Sequence, residues 1–431
     1  MAESIEKANA WLQGLENAYP QEDWQALLQP DRSTPCSAAK LDLARNAADV
    51  RRQLEARTSD TTIQQVLLPG ENEASIEAYL ANIENCIGTV QLPLGIAGPV
   101  RIRGSAARGD FPLPLATHEA ALVASYHRGA IAISEAGGCT AVTLNEGVSR
   151  VPCFTFERIH QAASFLAWAV PQQDTFKKIA ESTTTHGKLT EIKITVEGNH
   201  VFLHFYYHTG DAAGQNMVTV ATQAVVDHIL AHSPVQPYRA YVESNLSGDK
   251  KASAMSFSTV RGKKVTCEIV LPAAILKKRL GTSADEMEDY WRVSSIGGVL
   301  SGSLGIQGHY ANGLAALFIA CGQDAACVAE AAIGVTRFER RGDDLYAAVT
   351  LPNLIVGTVG GGTGLPTQSA CLKLLCLRGT GHARAFAEVC AATALAGELS
   401  IIAALASGKF TRAHEVLARR RKRNHGSNDA K

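Results

Sequence analysis

The stretch EIKITVEGNHVFLHFYY, residues 191–207, decides the fold predicted for the middle of the chain. Apolar and polar residues alternate over 192–196, which is typical of a strand with one buried face. Gly198 and Asn199 supply a two-residue turn, and residues 201–207 return as a second strand. The stretch therefore predicts a β-hairpin.

The segments on either side of this hairpin predict a small domain built around it. In chain order they are a strand over 151–156, a helix beginning at Phe156, the hairpin, a helix over 216–230 and a closing strand over 238–244. The order β-α-β-β-α-β is that of a ferredoxin-like split unit. We therefore expect residues 151–242 to form a small domain inserted into a larger one, with its edges near Arg150 and Glu243.

The larger domain is predicted to comprise residues 61–150 and 243–431, which gives a mixed α+β fold overall. Its expected elements are an apolar helix that starts after Thr117 with an acidic first turn, strands in KKVTCEIVLP and LYAAVTLPNLIVGT, and a long helix over 313–335. Residues 1–60 are expected to form a small helical N-terminal arm, and the basic tail 418–431 is expected to be disordered.

The composition is that of an ordinary soluble protein. Lys plus Arg and Asp plus Glu both number 41, so the net charge of zero gives no general drive toward nucleic acid or a membrane surface. The ten cysteines include no CxxC pair, which favours reduced thiols in a cytoplasmic protein over a metal site or disulfides. The apolar stretch 389–408 carries Glu398, so a buried core helix is a better interpretation than a membrane span.

Glu119, in the sequence LATHE, opens the apolar helix predicted after Thr117. In low-dielectric surroundings a carboxyl group keeps its proton to higher pH and can serve as a proton donor. A helix-start glutamate that interacts with the helix dipole is the alternative, and the residues alone favour that alternative.

Three further charged or titratable groups are candidates for chemistry. The loop NLSGDKK, residues 245–251, can hold an anionic substrate and stabilise an oxyanion, with a solvated turn as the alternative. Asp324, in CGQDA, lies within a predicted apolar helix, where an unpaired charge is costly, so a functional role is favoured over a paired core aspartate. His414 can transfer a proton near neutral pH, although an exposed helical histidine is an ordinary alternative.

Two glycine-rich segments are candidates for binding phosphate groups. GDAAGQN, residues 210–216, leads from a strand into a helix, whose free amide groups can receive a pyrophosphate. The second segment is GTVGGGT, residues 357–363. Neither matches GxGxxG or the P-loop, so neither supports a Rossmann fold, and turn formation is the default interpretation of each.

Taken together and in order, these segments resemble the hydroxymethylglutaryl-CoA (HMG-CoA) reductase family. The similar blocks are PLGIAGPVRI, PLATHEAALVAS, TGDAAGQNM, SGDKKASA, RGKKVTCE, GHYAN, IACGQDAA, GTVGGGT and AGELSIIAALASG, and the match extends from residue 83 to His414. Their collinearity excludes chance similarity, and they look closer to the eukaryote-like branch than to the shorter bacterial branch. The resemblance implies reduction of HMG-CoA to mevalonate by two hydrides delivered in turn.

The resemblance also implies a role for each candidate catalytic residue. Lys250 would stabilise the thioester oxyanion and then the hemithioacetal, and Glu119 would donate protons to the carbonyl group that is reduced. Asp324 would tune both groups through hydrogen bonds. His414 would protonate the departing CoA thiolate, which leaves more easily beside an acid poised near neutral pH.

Binding residues and partners follow from the same match. For the HMG group and CoA, the match names Arg150, Asn245, Asp249, Lys251, His309, Asn312, Ser125 and Arg128. For the nicotinamide cofactor, it names Asp211, Gly214, Gln215, Asn216, Thr184, Thr185, Val359 and Gly360. The family implies no metal. It implies a homodimer with shared active sites, commonly paired into a homotetramer, and residues 84–88 match its dimerisation segment.

The segment expected to meet the adenosine phosphate, TTHGK at 184–188, departs from the Ser-Arg-Phe of eukaryote-like members. The missing guanidinium weakens the preference for NADPH, but Thr184, Thr185 and Lys188 can still hold a phosphate. NADPH is therefore expected, with NADH as the alternative. Arg420 stands where higher eukaryotes carry a phosphorylated serine, so that control is not expected.

Two other functions compete with the active NADPH reductase. One is a catalytically silent homologue that acts as a ligand-binding scaffold, and the other is an NADH enzyme that works in the oxidative direction. All four catalytic side-chain types are present, which favours the active enzyme. Nucleic-acid binding through the basic tail is disfavoured because the chain has no basic domain or aromatic platform. We therefore expect a cytoplasmic enzyme without nucleic-acid or membrane partners.

Overall fold

The computed structural model describes residues 44–68 and 73–408, with five isolated positions before residue 18. Most of the predicted N-terminal arm, His414 and the basic tail 418–431 lie outside the described residues. The first helices are α1 (Ala47–Arg57), α2 (Thr61–Leu67) and α3 (Glu73–Leu80). The α1 helix agrees with the helical arm that the sequence predicts there.

An antiparallel hairpin, β1 (Leu94–Arg103) and β2 (Arg108–Ala116), packs against the helix α4 (Leu122–Glu135). The helix begins later than predicted, because the Thr117 hydroxyl accepts a hydrogen bond from the Glu119 amide (3.0 Å) and holds these residues in a turn. Glu119 therefore lies in the loop before α4, and its predicted position in the first helical turn is wrong.

Residues 153–241 contain the strands and helices of the predicted β-α-β-β-α-β order with one additional helix, and a strand over 140–150 precedes them. The elements are β3 (Thr140–Arg150), β4 (Cys153–Thr155), α5 (Ile159–Ala169), α6 (Gln173–Ser182), β5 (Lys188–Glu197), β6 (His200–His208), α7 (Gln215–His232) and β7 (Arg239–Tyr241). The hairpin β5–β6 is confirmed, and the strands pair as β7-β4-β6-β5 with every pair antiparallel. Phe154, Phe165 and Phe205 belong to a separate buried cluster beneath these strands.

The helix α6 was not predicted. The helix expected from Phe156 ends at Ala169, and a 3-10 turn, Val170–Gln172, separates it from α6. Pro171 has no amide hydrogen for the helical ladder, so the chain bends there. Phe176 and Ala180 are buried and attach α6 to the sheet.

The remaining elements complete one large mixed sheet and its helical cover. They are β8 (Gly262–Leu271), α8 (Ala284–Ser301), β9 (Gly305–Ile306), α9 (Tyr310–Ala320), α10 (Val328–Ala331), β10 (Gly334–Arg341), β11 (Asp344–Leu354), α11 (Pro366–Leu374) and α12 (Ala383–Ala406). The sheet runs β7-β4-β6-β3-β8-β11-β10-β9, with β5 on β6. β3 pairs with β8 through 140–147 and with β6 through 148–150, so the sheet continues across the boundary expected near Arg150.

The long helix predicted over 313–335 is wrong. α9 ends at Ala320, because Gly322 adopts φ +68 and a β-carbon there would lie 2.3 Å from the Gly362 carbonyl oxygen. The chain then forms a 3-10 turn, Ala325–Cys327, the short α10 and the strand β10. Apolar periodicity alone did not distinguish a buried strand from a continuing helix.

The helix α12 is the centre of the larger core, as predicted from its apolar sequence. It is the one helix in the described part of the chain long and apolar enough to cross a membrane, and 83% of its apolar window is buried inside the protein. Its two buried carboxylates accept hydrogen bonds from other elements: Glu388 binds the amides of Ala106 and Ala107, and Glu398 binds those of Gly308 and His309. α12 is therefore a core helix.

Candidate active site

Lys250 and Asp324 form an ion pair at the surface of the chain. The Lys250 Nζ atom lies 2.9 Å from Asp324 Oδ2, and the two side chains are 41% and 44% exposed. Asp324 also accepts a hydrogen bond from the Ala326 amide (3.0 Å) and begins the 3-10 turn. The expectation that Asp324 is buried within a helix is wrong for the single chain, because α9 ends before it.

The pair keeps both groups charged. The hydrogen bond with Asp324 raises the pKa of Lys250, and this effect exceeds that of partial burial. Burial tends to raise the pKa of Asp324, but hydrogen bonds from Lys250 and the Ala326 amide outweigh it and hold the pKa below its ordinary value. Near neutral pH, the site therefore presents an ammonium group beside a carboxylate.

A buried ion pair supports the backbone of Lys250. Lys250 adopts φ +58, which is unusual for a residue with a β-carbon, and its amide donates to Glu330 Oε1 (3.2 Å). Glu330 is fully buried, and both of its oxygens lie 2.6 Å from Arg261 Nη1. Our sequence analysis missed Arg261 and Glu330. The available signal was a single glutamate in the apolar run 326–333, where a charge needs a partner.

Arg150, predicted to bind the substrate carboxylate, is held by carboxylates of its own chain. Its Nη1 atom donates to Glu243 (2.9 Å) and Asp249 (3.1 Å). The Asn245 amide donates to the other oxygen of Glu243 (2.7 Å), so Glu243 ties the two predicted binding residues together. Lys251 is exposed in the same loop. The structure therefore brings four predicted substrate residues, Arg150, Asn245, Asp249 and Lys251, into one region.

A cavity of about 490 Å³ between α4 and α12 contains the other predicted substrate residues. Its lining includes Glu119, Ser125, Arg128, His309 and Asn312, with Leu122, Ile401, Ala404 and Leu405 among its apolar walls. Arg128 Nη2 donates to the Ser400 carbonyl oxygen (2.6 Å), and the Ser125 and Ser400 hydroxyls are 2.9 Å apart. An apolar cavity with a cation at its wall suits a long ligand that carries negative charge.

Glu119 lies on this cavity rather than beside Lys250. Its carboxylate accepts a hydrogen bond from Asn312 Nδ2 (2.9 Å), and its side chain is exposed, so the low-dielectric surroundings expected for it are absent in the single chain. Asn312 is in the first turn of α9, whereas Asp324 follows the last turn. A helix rises about 1.5 Å per residue, so α9 extends roughly 12 Å from Asn312 to its end at Ala320. The contact of Glu119 with Asn312 is therefore near the start of α9, whereas the Lys250–Asp324 pair follows its end.

Glu398 fixes His309 at the cavity wall. Glu398 is fully buried, and its carboxylate accepts hydrogen bonds from the His309 amide (2.8 Å), the Gly308 amide (2.8 Å) and the Thr336 hydroxyl (2.8 Å). The His309 ring stacks on Tyr126 with 5.3 Å between the ring centroids. The sequence showed Glu398 only as a charge within an apolar helix, and its partners come from distant parts of the chain.

The two glycine-rich segments lie side by side, as their predicted common role requires. Ala212 and Val359 form a parallel bridge, and the Thr358 amide donates to the Asp211 carbonyl oxygen (2.9 Å). A β-carbon on Gly357 would lie 2.5 Å from the Ala213 nitrogen, so only glycine permits this approach. α7 then begins at Gln215 without a side-chain cap from the described residues, which leaves its first amides available.

Two side chains predicted to bind the cofactor make contacts within the protein instead. The Asp211 carboxylate accepts hydrogen bonds from the amides of Gly381 (2.7 Å) and Ala383 (3.1 Å), at the start of α12. The Gln215 side chain contacts Arg261 and Cys327. Burial tends to raise the pKa of Asp211, but the backbone hydrogen bonds outweigh it and lower the pKa. Asn216 is exposed, Val359 is half-buried and Gly360 is exposed beside them.

The segment 184–188 lies beside the start of α7. The Thr184 hydroxyl lies 3.2 Å from Met217 Sδ and accepts a hydrogen bond from the Gly187 amide (3.1 Å). Lys188 Nζ pairs with Glu181 (3.1 Å), while Thr185 is exposed. Two of the three groups expected to hold a phosphate, Thr184 and Lys188, therefore make contacts within the protein.

Comparisons with known proteins identify the family of this chain. A model of the hydroxymethylglutaryl-coenzyme A reductase family matches residues 47–419. The 3-hydroxy-3-methylglutaryl-coenzyme A reductase of Methanothermobacter thermautotrophicus is 41% identical over 86% of this chain and 94% of its own length. The enzyme of Halobacterium salinarum is 44% identical over 78% and 84%, and reductase 1 of Dictyostelium discoideum is 34% identical over 85% and 68%.

A solved structure shares the fold. The class II reductase of Streptococcus pneumoniae, bound to NADPH in open conformations, superposes with a TM-score of 0.62 at 19% identity, over 81% of this chain and 98% of that chain. The family match and the relatives show an oxidoreductase of the mevalonate pathway. The chain belongs to the hydroxymethylglutaryl-coenzyme A reductase family, and its activity is the reduction of HMG-CoA to mevalonate.

Proposed function

We propose that this reduction uses NADPH and takes place at Lys250 and Asp324. The observation that supports these roles is their 2.9 Å ion pair, which is open to a ligand on one side and held by a buried network on the other. The Lys250 ammonium would stabilise the oxyanion of the thioester and then of the hemithioacetal. Asp324 would hold that ammonium charged and in position.

Proton transfer is assigned to two other residues. Glu119 would donate protons to the carbonyl oxygen during reduction, with Asn312 orienting its carboxyl group (2.9 Å). His414 would protonate the departing CoA thiolate. The described chain reaches Gly408 directly after α12, whose residues Ile401, Ala404 and Leu405 line the cavity. His414 is six residues beyond Gly408 in the sequence.

We assign the substrate to two surfaces. The cavity would hold CoA, with Ser125 and Arg128 at its wall and His309 at its base. Arg150, Asn245, Asp249 and Lys251 would surround the carboxylate of the HMG group, and Lys251 is the cation among them that is exposed. Because Arg150 already forms ion pairs with Glu243 and Asp249, it would hold this loop in place before the substrate binds.

The cofactor is assigned to the adjoining glycine-rich segments. The uncapped amides at the start of α7 fit a pyrophosphate, and Gly214, Asn216, Val359 and Gly360 would line it. NADPH, when bound, supplies the hydride. We further propose that residues 151–242 form an inserted ferredoxin-like unit that carries this segment. Thr185 is the exposed hydroxyl of segment 184–188 and would meet the adenosine phosphate, and NADH remains the alternative cofactor.

We propose a homodimer in which each active site is shared, and pairs of dimers that form a homotetramer. The separation of Glu119 from the Lys250–Asp324 pair along α9 supports this, since a second subunit can supply the missing half of each site. The described chain also leaves apolar side chains of α8 uncovered, with Val299 76% and Leu300 82% exposed. Residues 84–88 are a second candidate contact.

A location in the cytoplasm is part of the same proposal. The nine described cysteines are free thiols, and eight of them are buried, which suits a reducing compartment. Cell fractionation that recovers the full-length protein with membranes would contradict this location.

The central test follows nicotinamide absorbance in purified full-length enzyme mixed with HMG-CoA. NADPH and NADH are compared in parallel. We expect oxidation of NADPH with the higher kcat/KM, and a higher kcat/KM for NADH would overturn the cofactor assignment. Lys250→Ala is expected to reduce turnover about 100-fold or more without unfolding the protein, whereas Lys251→Ala should mainly raise KM for HMG-CoA. Unchanged turnover in Lys250→Ala would remove Lys250 from the mechanism.

A further inference from the structure

The side chain of Gln215 connects the helix α7 to the buried residues behind Lys250. Its Nε2 atom donates a hydrogen bond to Cys327 Sγ (2.9 Å), and its Oε1 atom accepts one from Arg261 Nη2 (3.2 Å). Cys327 and Arg261 are both buried, so these contacts are shielded from water. The amide therefore uses its acceptor and one donor within the protein, although Gln215 begins the helix assigned to the cofactor.

One contact leads from Gln215 to the carboxylate beside Lys250. Cys327 ends the 3-10 turn that Asp324 begins, and its backbone amide donates to the Asp324 carbonyl oxygen (3.0 Å). Burial raises the pKa of the Cys327 thiol, so the sulfur keeps its hydrogen. The sulfur accepts the hydrogen bond from Gln215, which therefore contacts the turn that carries Asp324. The thiol thus lies between the cofactor helix and the ion pair.

The other contact leads from Gln215 to the backbone of Lys250. Arg261 Nη2 donates to Asp249 Oδ1 (2.7 Å), and Arg261 Nη1 contacts Glu330 (2.6 Å). Glu330 in turn accepts a hydrogen bond from the Lys250 backbone amide, and this bond holds Lys250 in its left-handed conformation. Gln215 therefore contacts both supports of Lys250, the one that holds its side chain and the one that holds its backbone.

We infer that Gln215 and Cys327 are positioning residues that join the cofactor-binding helix to the Lys250–Asp324 pair. The inference rests on the proposed roles of Lys250 and Asp324. Because the contact orients Asp324 rather than binding a ligand, its loss should lower kcat more than it changes KM for HMG-CoA. Loss of Cys327 breaks the shared contact, whereas loss of Gln215 also breaks the contact with Arg261.

A double-mutant cycle on the full-length enzyme tests this inference. Gln215→Met keeps the side-chain length and removes both amide hydrogen bonds, and Cys327→Ala removes the thiol. Each is expected to lower kcat by about 3- to 10-fold with KM for HMG-CoA changed less than about twofold. The double variant should lose no more than Gln215→Met alone, because that change already breaks the contact with Cys327 in addition to the one with Arg261. Cys327→Ser should restore most of kcat, since a hydroxyl can donate and accept in place of the thiol.

Two controls distinguish this result from a general loss of stability. The first control is Gln223→Met on the same helix. The Gln223 side chain donates a hydrogen bond to the exposed neighbour Asp227 (2.7 Å), so this variant should keep full kcat. Melting temperatures report whether each variant is folded. The inference would be overturned if the loss of kcat in the double variant equalled the product of the two single losses. It would also be overturned if Cys327→Ala kept full kcat. In both cases Lys250→Ala would stay inactive, so the proposed site would stand. An active Lys250→Ala variant would instead overturn the proposed site, and the inference with it.

Discussion

Glu398 offers a quantitative test of how the core helix supports the substrate cavity. Its carboxylate is the acceptor for three groups, the amides of Gly308 and His309 and the hydroxyl of Thr336, at 2.8 Å each. Glu398→Ala would leave these donors without their acceptor inside the core. An unsatisfied buried group costs about 1–3 kcal/mol, and part of that cost is relieved by rearrangement. We expect a loss of about 3–5 kcal/mol in the free energy of unfolding.

The assay combines thermal unfolding with substrate kinetics. For a chain of 431 residues, an unfolding entropy of about 2.1 cal/mol/K per residue converts that loss into a decrease of roughly 3–6 °C in Tm. Because His309 and its neighbour Asn312 line the cavity, KM for HMG-CoA should rise while KM for NADPH stays close to its original value.

The control is Glu191→Gln, which changes a half-exposed carboxylate that pairs only with Lys193 at the surface. Such a substitution should alter stability by no more than about 0.5 kcal/mol. If Glu398→Ala melted at the original temperature and kept its KM for HMG-CoA, Glu398 would not be the support that its hydrogen bonds indicate. A rise in KM for NADPH alone would contradict the assignment of the cavity to the substrate.

Three further changes test the rest of the structure. Asp324→Asn removes the carboxylate that raises the pKa of Lys250, so the alkaline limb of the kcat/KM profile should move to lower pH, and an unmoved limb would contradict the pairing. Gly357→Ala places a β-carbon 2.5 Å from the Ala213 nitrogen and should raise KM for NADPH at least about tenfold, whereas Gly364→Ala, where a β-carbon meets open space, should not. Phe165→Ala, in the core beneath β4–β7, should cost about 3–5 kcal/mol in urea unfolding, and a cost below about 1 kcal/mol would show that this cluster is loosely packed.

Local patterns in the sequence were sufficient for the hairpin and for the strands and helices beside it, with the exception of α6. The alternation over 192–196 and the turn at Gly198 depend on neighbours in the chain, so they are visible without a structure. The family blocks likewise identified the activity, because the residue types at Glu119, Lys250 and Asp324 are carried by recognisable segments. The interpretation of α12 as a core helix also needed only its length and its glutamate.

Local patterns failed where a contact between distant segments determines the backbone conformation and so the end of a helix. α9 ends at Ala320 because Gly362 approaches Gly322 just beyond it, and α4 begins late because the Thr117 side chain holds the preceding turn. Since apolar periodicity carries no information about such approaches, the helix predicted over 313–335 was too long, and Asp324 was placed in the wrong surroundings.

The sequence by itself thus determined the family and the reaction, and it indicated the segments proposed to carry the site. Only the tertiary structure showed which groups each buried or half-buried charge contacts. Arg261 pairs with Glu330, Glu398 accepts hydrogen bonds from the amides at 308 and 309, and Asp211 accepts them from amides at the start of α12. Each of these partners is separated from its acceptor or donor by tens of residues or more. Hydrogen bonds and ion pairs depend on distances in space, and those distances are established only when the sheet and the core helix pack together.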